Sequence, residues 1–318
     1  MTFTFGIYPG ALLGTATGAV HLAHPDHPER IEDALRQLQA DAPTLLVRAY
    51  RPYAATVAPD APPTPADPER YLANGRKLDL VVTFREPTGA LEGWLDFIRA
   101  TVREEGARIA SLQICEEPNA NLPVLDGSMP NVHQALVQGV IAAKEEARAC
   151  GHDLAVGFNV VPTFNPADTW WHDLGAVADD RFHQALDYVG LDFFPDVFRP
   201  IPAEQLAAAI EGVLTALRTA DLPKAGIGDG VPIRVCEHGW PTGPERSEER
   251  QAEVIEEVIR TLDKLRGDLN ITGYSLFGLR DANSAGEGLY DRFGLLRDDY
   301  TPKPAFSTYR QLIAELTH

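Results

Sequence analysis

The sequence predicts a single (β/α)8 barrel spanning residues 1–318, and three observations carry that expectation. Eight short apolar, β-branched or aromatic stretches recur along the chain. Segments with helical periodicity alternate with them, the pattern of a parallel sheet wrapped by helices. A chain of 318 residues also accommodates eight such units in one closed barrel. No GxGxxG follows the first strand, which disfavours an open dinucleotide-binding sheet.

In order, the candidate strands are Thr4–Tyr8, Thr44–Arg48, Leu78–Phe84, Ser111–Cys115, Leu154–Val160, Tyr188–Phe194, Ile233–Glu237 and Thr272–Phe277. The clearest helices are Pro28–Gln39, Leu91–Glu105, Asn131–Ala149, Ala203–Ala220, Glu248–Leu265 and Pro304–Leu316. In Glu248–Leu265 the residues Val254, Ile255, Val258, Ile259, Leu262 and Leu265 recur at three- and four-residue steps, which gives one face for a barrel and one for water. The Pro-rich stretch Ala58–Pro68 reads as a long surface loop, because strand and helix patterns continue on both sides of it.

Composition bounds the function. Hydrophobic residues make up 44% and charged residues 23%, as in globular proteins, and no run of about 18 apolar residues marks a spanning helix. The start MTFTFGIYPG lacks an export-signal pattern, so the expected location is cytoplasmic. Asp and Glu outnumber Lys and Arg by 46 to 28, a formal charge of −18 that repels nucleic acid and anionic membranes and tolerates a neutral substrate. Cys115, Cys150 and Cys236 show no metal-ligand spacing and read as reduced, mostly buried thiols. His24 and His27 have no third ligand of matching spacing, so neither metal nor cofactor is expected. The Ser284–Gly288 loop holds an acid and no lysine, a weak match to a phosphate cradle.

In a barrel of this kind chemistry sits where strands end, on the C-terminal face. The fourth strand runs into Glu116-Glu117-Pro118-Asn119 and the seventh into Glu237-His238-Gly239-Trp240-Pro241. Strands four and seven lie across the mouth from each other, so Glu117 and Glu237 can converge despite their separation in sequence. Two converging carboxyls about 5–5.5 Å apart suit double displacement at an anomeric carbon, one protonating the departing oxygen and the other attacking. Pro118 biases Glu117 toward extended backbone. Strand alternation turns Glu116 away from Glu117 unless the chain bulges there.

These exits resemble the acid/base and nucleophile motifs of the clan A glycoside hydrolases, retaining (β/α)8 enzymes with Asn-Glu-Pro after strand four and a Glu after strand seven. The block from Glu237 to Gly243 is similar to the nucleophile segment of β-1,3-glucanase-like members, and Tyr274–Phe277, Phe293–Leu296 and Lys303-Pro304-Ala305 resemble the clan's last strand and helix. The resemblance implies that Glu117 is the general acid/base, that Glu237 is the nucleophile and that Arg48 donates to the Glu237 carboxylate. Glu116 stands where the clan has an Asn that binds the hydroxyl next to the anomeric carbon. An ionised carboxylate cannot donate there, so that contact changes or Glu116 carries a proton. Phe277 is the aromatic nearest to the position of the clan's usual Trp.

Trp170, Trp171 and Trp240 are candidate sugar-stacking rings, the first two placed in the loop after strand five. Phe194 and Asn159, with Asp192, Arg280 and Asp281 behind them, lie near strand exits as candidates for substrate contacts. His238 reads as a hydrogen-bonded wall residue. The function expected is a cofactor-free retaining glycoside hydrolase acting on a β-linked glycoside, as a monomer or small homo-oligomer. A transglycosylase sharing its covalent intermediate and a catalytically impaired carbohydrate-binding barrel are the alternatives.

Overall fold

The computed structural model describes residues 3–11, 14–15, 18–19, 22–55 and 63–317. Eight parallel strands close into a barrel: β1 (Thr4–Tyr8), β2 (Leu46–Tyr53), β3 (Lys77–Phe84), β4 (Ile109–Ile114), β5 (Ala155–Val160), β6 (Tyr188–Asp192), β7 (Ile233–His238) and β8 (Ile271–Phe277). Each strand pairs with its sequence neighbours, and β1 closes on β8 with Thr4 opposite Gly273 and Tyr8 opposite Phe277. All eight expected strands are present, with ends displaced by a few residues.

The surrounding helices are α1 (Pro28–Gln39), α2 (Glu92–Glu105), α3 (Val132–Cys150), α4 (Trp170–Val177), α5 (Asp180–Ala185), α6 (Leu206–Ala216), α7 (Glu248–Leu265) and α8 (Pro304–Leu316). Pro at the first turn of α1 and α8 fits a position whose N–H has no helical partner. Ser247 caps α7 by accepting from Arg250 N at 3.1 Å, and acids fill its first turn. The six apolar residues read as its barrel face are all buried, each contributing roughly 1.5–3 kcal/mol of hydrophobic stabilisation. No described helix is long and apolar enough to cross a membrane.

Three connections depart from the expected pattern. Among the described residues the β2–β3 connection carries a 3-10 turn at Pro68–Tyr71 and no α-helix. Residues 58–62 of the Pro-rich stretch lie outside the described residues, while Thr64 pairs with Tyr50 through hydrogen bonds of 2.8 and 3.0 Å. The β5–β6 connection holds two helices, α4 and α5, where a loop was expected. The expected helix Ala203–Ala220 is divided into a 3-10 turn, α6 and a π-helical turn at Leu217–Asp221.

Polar residues occupy the barrel interior in a period-two pattern. Arg48 and Asp79, with Ser111 and Gln113 on β4 and Asn159 on β5, are all buried. Gly190 makes room for this layer, since a Cβ there would meet Cys236 Sγ at 2.6 Å and Asn159 Cβ at 2.9 Å. Cys115 and Cys236 are buried free thiols, whereas Cys150, at the end of α3, is exposed.

Candidate active site

The β4 exit is not extended. Cys115 and Glu117 both adopt left-handed backbone, with φ of 68° and 43°, contrary to the expectation that Pro118 holds Glu117 in a strand conformation. For residues with a side chain such φ values cost of order 1–3 kcal/mol and persist when surrounding contacts over-determine them. Those contacts are present. Asp126 Oδ2 accepts from Glu116 N at 2.9 Å and from Phe84 N at 2.7 Å, and Asn159 Oδ1 accepts from Glu117 N at 2.8 Å. Asn119 pins the next residue of the turn, donating to Val161 O at 2.8 Å and accepting from Val161 N at 2.9 Å.

The irregular turn brings the Glu116 side chain into the mouth. Its Oε2 accepts from Gln113 Nε2 at 2.6 Å and Asn159 Nδ2 at 3.2 Å, and lies 3.7 Å from Arg48 Nη2. On the far wall, register shifts on both sides of β7 re-aim its exit. Asp192 is paired opposite Glu237 after a shift from Leu191 opposite Val235, and β8 slips between Tyr274 and Leu276.

Glu237 is held by two residues of β2. Arg48 Nε and Nη2 each lie 3.3 Å from Glu237 Oε1, and the Tyr50 hydroxyl donates to the same oxygen. Arg48 is fully buried and its donors are divided, reaching Asp79 Oδ2 at 2.9 Å, Gln113 Oε1 at 3.0 Å and the Tyr50 oxygen at 2.7 Å. One guanidinium therefore serves a crowd of carboxyls.

That imbalance shapes the titration of the site. Burial, then the charge of Glu237, pushes Glu117 up to about 8, with Arg48 opposing. Glu116 and Asp192 are likewise driven well above the carboxylate range by burial and then by Glu237. His238 is lowered to about 3 by burial, so its ring is neutral, and Nδ1 lies 2.6 Å from the Tyr274 hydroxyl. It is a wall residue, as its sequence context suggests.

One oxygen each from Glu116, Asp192 and Glu237 lie within 4.8 Å of one another, a grouping able to gather a metal ion. Its three acids come from three different strand exits and share no sequence spacing that would mark them as a group. Arg48, against two of the three carboxyls, already supplies positive charge at the same place.

The other expected contact residues divide into two groups. Phe277 and Phe194 stay partly exposed, ring centroids 6.5 Å apart, and Phe277 stacks on Tyr8 at 5.0 Å. Phe194 leads edge-on to Phe198, 58% exposed, and Phe198 to Tyr290, so an aromatic run extends from the mouth. The three tryptophans do not join it. Trp170 and Trp171 lie in α4, packed against Phe158 at 8% and 4% exposure, with Trp170 Nε1 donating to Pro118 O at 3.0 Å. Trp240 is 3% exposed and donates to Asp196 Oδ2 at 3.2 Å. These indoles are corrected from sugar platforms to core residues, because Trp170 and Trp171 pack against Phe158 and Arg246 lies over the Trp240 ring, 5.4 Å from its centroid.

Asn159 is fully buried with its amide committed to Glu117 N, Glu116 and Asp192, so it positions carboxyls and does not reach outward. Arg280 is spent on Asp26 at 2.7 Å and Asp281 on Lys303 at 2.7 Å, contacts that tie down the chain after β8. The backbone N–H groups of Ser284 and Gly288 donate to the carboxylates of Asp298 and Asp291, which fill that loop's turn. Sequence reasoning missed Tyr50, Gln113 and Asp79. Their signal was polar residues at inward, alternate positions of otherwise apolar strands.

The fold is a closed (β/α)8 barrel of the kind found in solved glycoside hydrolases. Among solved structures, the chain is similar to a β-1,3-glucanosyltransferase of glycoside hydrolase family 17 from Rhizomucor miehei, with TM-score 0.60, 16% identity and coverage of 95% of this chain and 96% of that one. It is similar to a β-glucosidase at TM-score 0.60 and 14% identity over 98% of each chain. It also matches a β-glucuronidase from Ruminococcus gnavus at TM-score 0.61 and 13% identity, covering 98% of this chain but spanning about half (49%) of that one. No protein-family model and no curated protein matches the sequence.

Proposed function

We propose that the chain is a retaining glycoside hydrolase for β-linked glycosides, with Glu237 attacking the anomeric carbon and Glu117 serving as acid and then base. The observation that carries this reading is the contrast between two carboxyls at one mouth. Glu237 is gripped by Arg48 and Tyr50, while Glu117, raised to about 8, is suited to bring a proton to a departing oxygen. Attack by Glu237 expels the aglycone as Glu117 protonates its oxygen. Glu117 then takes a proton from water, which displaces the glycosyl group from Glu237 with a second inversion.

A panel of aryl β-glycosides followed by NMR tests this reading. The first sugar released is expected as the β anomer, and Glu237→Gln is expected to lower kcat by about 1,000-fold or more, of the order seen when a catalytic residue is removed. Initial release of the α anomer would contradict double displacement. Sugar binding without turnover of any glycoside would favour the carbohydrate-binding barrel.

Transfer to a second sugar is the other reading, favoured by the aromatic run through Phe194, Phe198 and Tyr290. Rings leading outward could hold an acceptor in the path that water otherwise takes. Products longer than the substrate would support it.

A further inference from the structure

We propose that this mouth recognises glycosides carrying a protonated amine on the carbon next to the anomeric centre, with Glu116, Asp192 and Glu237 as the three acceptors of that ammonium. The inference rests on Glu237 being the nucleophile, and it names the substrate class of the site.

Acceptors outnumber donors here. Asp192 is 1% exposed, and while its Oδ2 accepts from Asn159, its Oδ1 has no hydrogen-bond partner. A buried carboxyl oxygen without a donor costs roughly 1–3 kcal/mol or more until something supplies one. The neighbouring amides and guanidinium are spoken for, and the protons that burial holds on Glu116 and Asp192 leave as an ammonium enters. Gln113 Nε2 is used by Glu116 and Cys115 O, Asn159 Nδ2 by Glu116 and Asp192 Oδ2, and Arg48 by Asp79, Gln113, Tyr50 and Glu237.

The spacing fits an ammonium. Three oxygens no more than 4.8 Å apart have a common point within about 2.8 Å of each, so one nitrogen can reach all three at N⁺–H···O⁻ distance. An ammonium has three N–H donors, one for each acceptor, whereas a hydroxyl has one and leaves two acceptors unserved.

Connectivity fixes where the amine sits. Glu237 is both an acceptor of the ammonium and the group that attacks the anomeric carbon, so the nitrogen must be borne close to the reacting centre. A substituent on the adjacent ring carbon meets that condition. A 2-amino-2-deoxy-β-glycoside is the substrate class that results, and N-acetylation would remove both the charge and two of the three N–H donors.

The experiment has a kinetic arm and a binding arm. Wild-type kcat/KM is measured for 4-nitrophenyl β-D-glucopyranoside, its 2-amino-2-deoxy analogue and its 2-acetamido analogue, with the corresponding galactosides in parallel. Equilibrium binding of glucosamine and galactosamine is compared with that of glucose and galactose by calorimetry. A preference of about tenfold or more for the amine in both arms is expected, from replacing neutral with charge-assisted hydrogen bonds. Glu116→Asn and Asp192→Asn, each checked for a native circular-dichroism spectrum and a cooperative melt, are expected to reduce that preference at least several-fold. Amine binding that is selective and sensitive to Glu116→Asn, with no turnover of any glycoside, would sustain the amine site while sinking the nucleophile assignment. Turnover or binding in which hydroxyl or acetamido sugars equal or surpass the amines would overturn the amine site and leave the hydrolase reading standing.

Discussion

Tyr50 and Glu237 share a direct hydrogen bond across the barrel, donated by the phenol to the same carboxylate oxygen that Arg48 approaches at 3.3 Å through two of its nitrogens. Among the described residues Glu237 Oε2 takes no hydrogen bond. One edge of the carboxylate is thus clamped, and the other is the edge that the proposed attack uses. Arg48 also donates to the Tyr50 oxygen and lies over its ring, 5.1 Å from the centroid, so the phenol is itself held in place.

Removing that phenolic donor is expected to cost rate without unfolding the chain. Tyr50→Phe keeps the ring and its edge contact with Tyr8. Loss of one organising donor at a reacting carboxylate is expected to lower kcat/KM by about 10–1,000-fold, with a thermal midpoint near that of wild type. Steady-state kinetics beside a thermal melt provide the check, and unchanged kcat/KM would remove Tyr50 from the site.

The raised Glu117 gives the proposed general acid an alkaline limit. A general acid must arrive protonated, so log kcat/KM is expected to fall above about pH 8, approaching one unit per pH unit. Glu117→Gln should abolish that limb while leaving low residual turnover of activated substrates. A profile unchanged by this substitution would assign the limb to another group.

Stability follows from the same carboxyls, with its sign fixed by linkage. Burial raises Glu116, Glu117 and Asp192 in the folded chain above their unfolded values near about 4. The folded state therefore binds more protons, and stability falls as pH rises from the unfolded values through the folded ones, a window that for Glu117 closes near 8. The thermal midpoint is expected to drop between pH 5 and pH 8, and Glu116→Gln is expected to flatten the drop. A wild-type midpoint that rises across this range would contradict the balance.

Glu117→Ala should discriminate by leaving group. Hydrolysis of substrates with good leaving groups is expected to retain most of its first step, whereas poorly activated ones lose about 100-fold or more, the usual scale of general acid catalysis. Azide should restore part of the turnover of activated substrates by replacing water as the second nucleophile. Equal losses on both classes, with no azide effect, would argue against the acid assignment.

The buried indoles carry a separate expectation. Trp171→Ala leaves a void against Phe158 and Trp170 and should cost about 3–5 kcal/mol of stability with KM nearly unchanged. A large rise in KM with an unchanged melt would return Trp171 to the sugar-contact group.

The barrel and the two exit motifs were legible because both depend on local pattern. Apolar stretches mark strands, and an acid just past a strand end marks the mouth. The network behind the acids was less legible, since its members are far apart in sequence. Tyr50, Asp79 and Gln113 gain their place only when closure of the sheet brings them to Arg48 and Glu237. Trp170-Trp171 was misplaced for a related reason. A short helix such as α4 offers too few turns for a clear periodicity, so its buried face resembled a loop. Pro118 shows the limit of local bias, because Asp126, Asn119 and Asn159 fix the turn in a conformation that Pro-adjacent preference alone disfavours.

The central claim is that Glu237 forms a covalent bond to the sugar. Incubation with saturating aryl 2-deoxy-2-fluoro β-glycosides, followed by proteolysis and mass-spectrometric peptide mapping, examines that bond itself. The expected result is a single glycosyl adduct on Glu237, formed in step with loss of activity and absent from Glu237→Gln. An adduct on Glu116, Glu117 or Asp192, or time-dependent inactivation with Glu237 unmodified, would contradict the assignment.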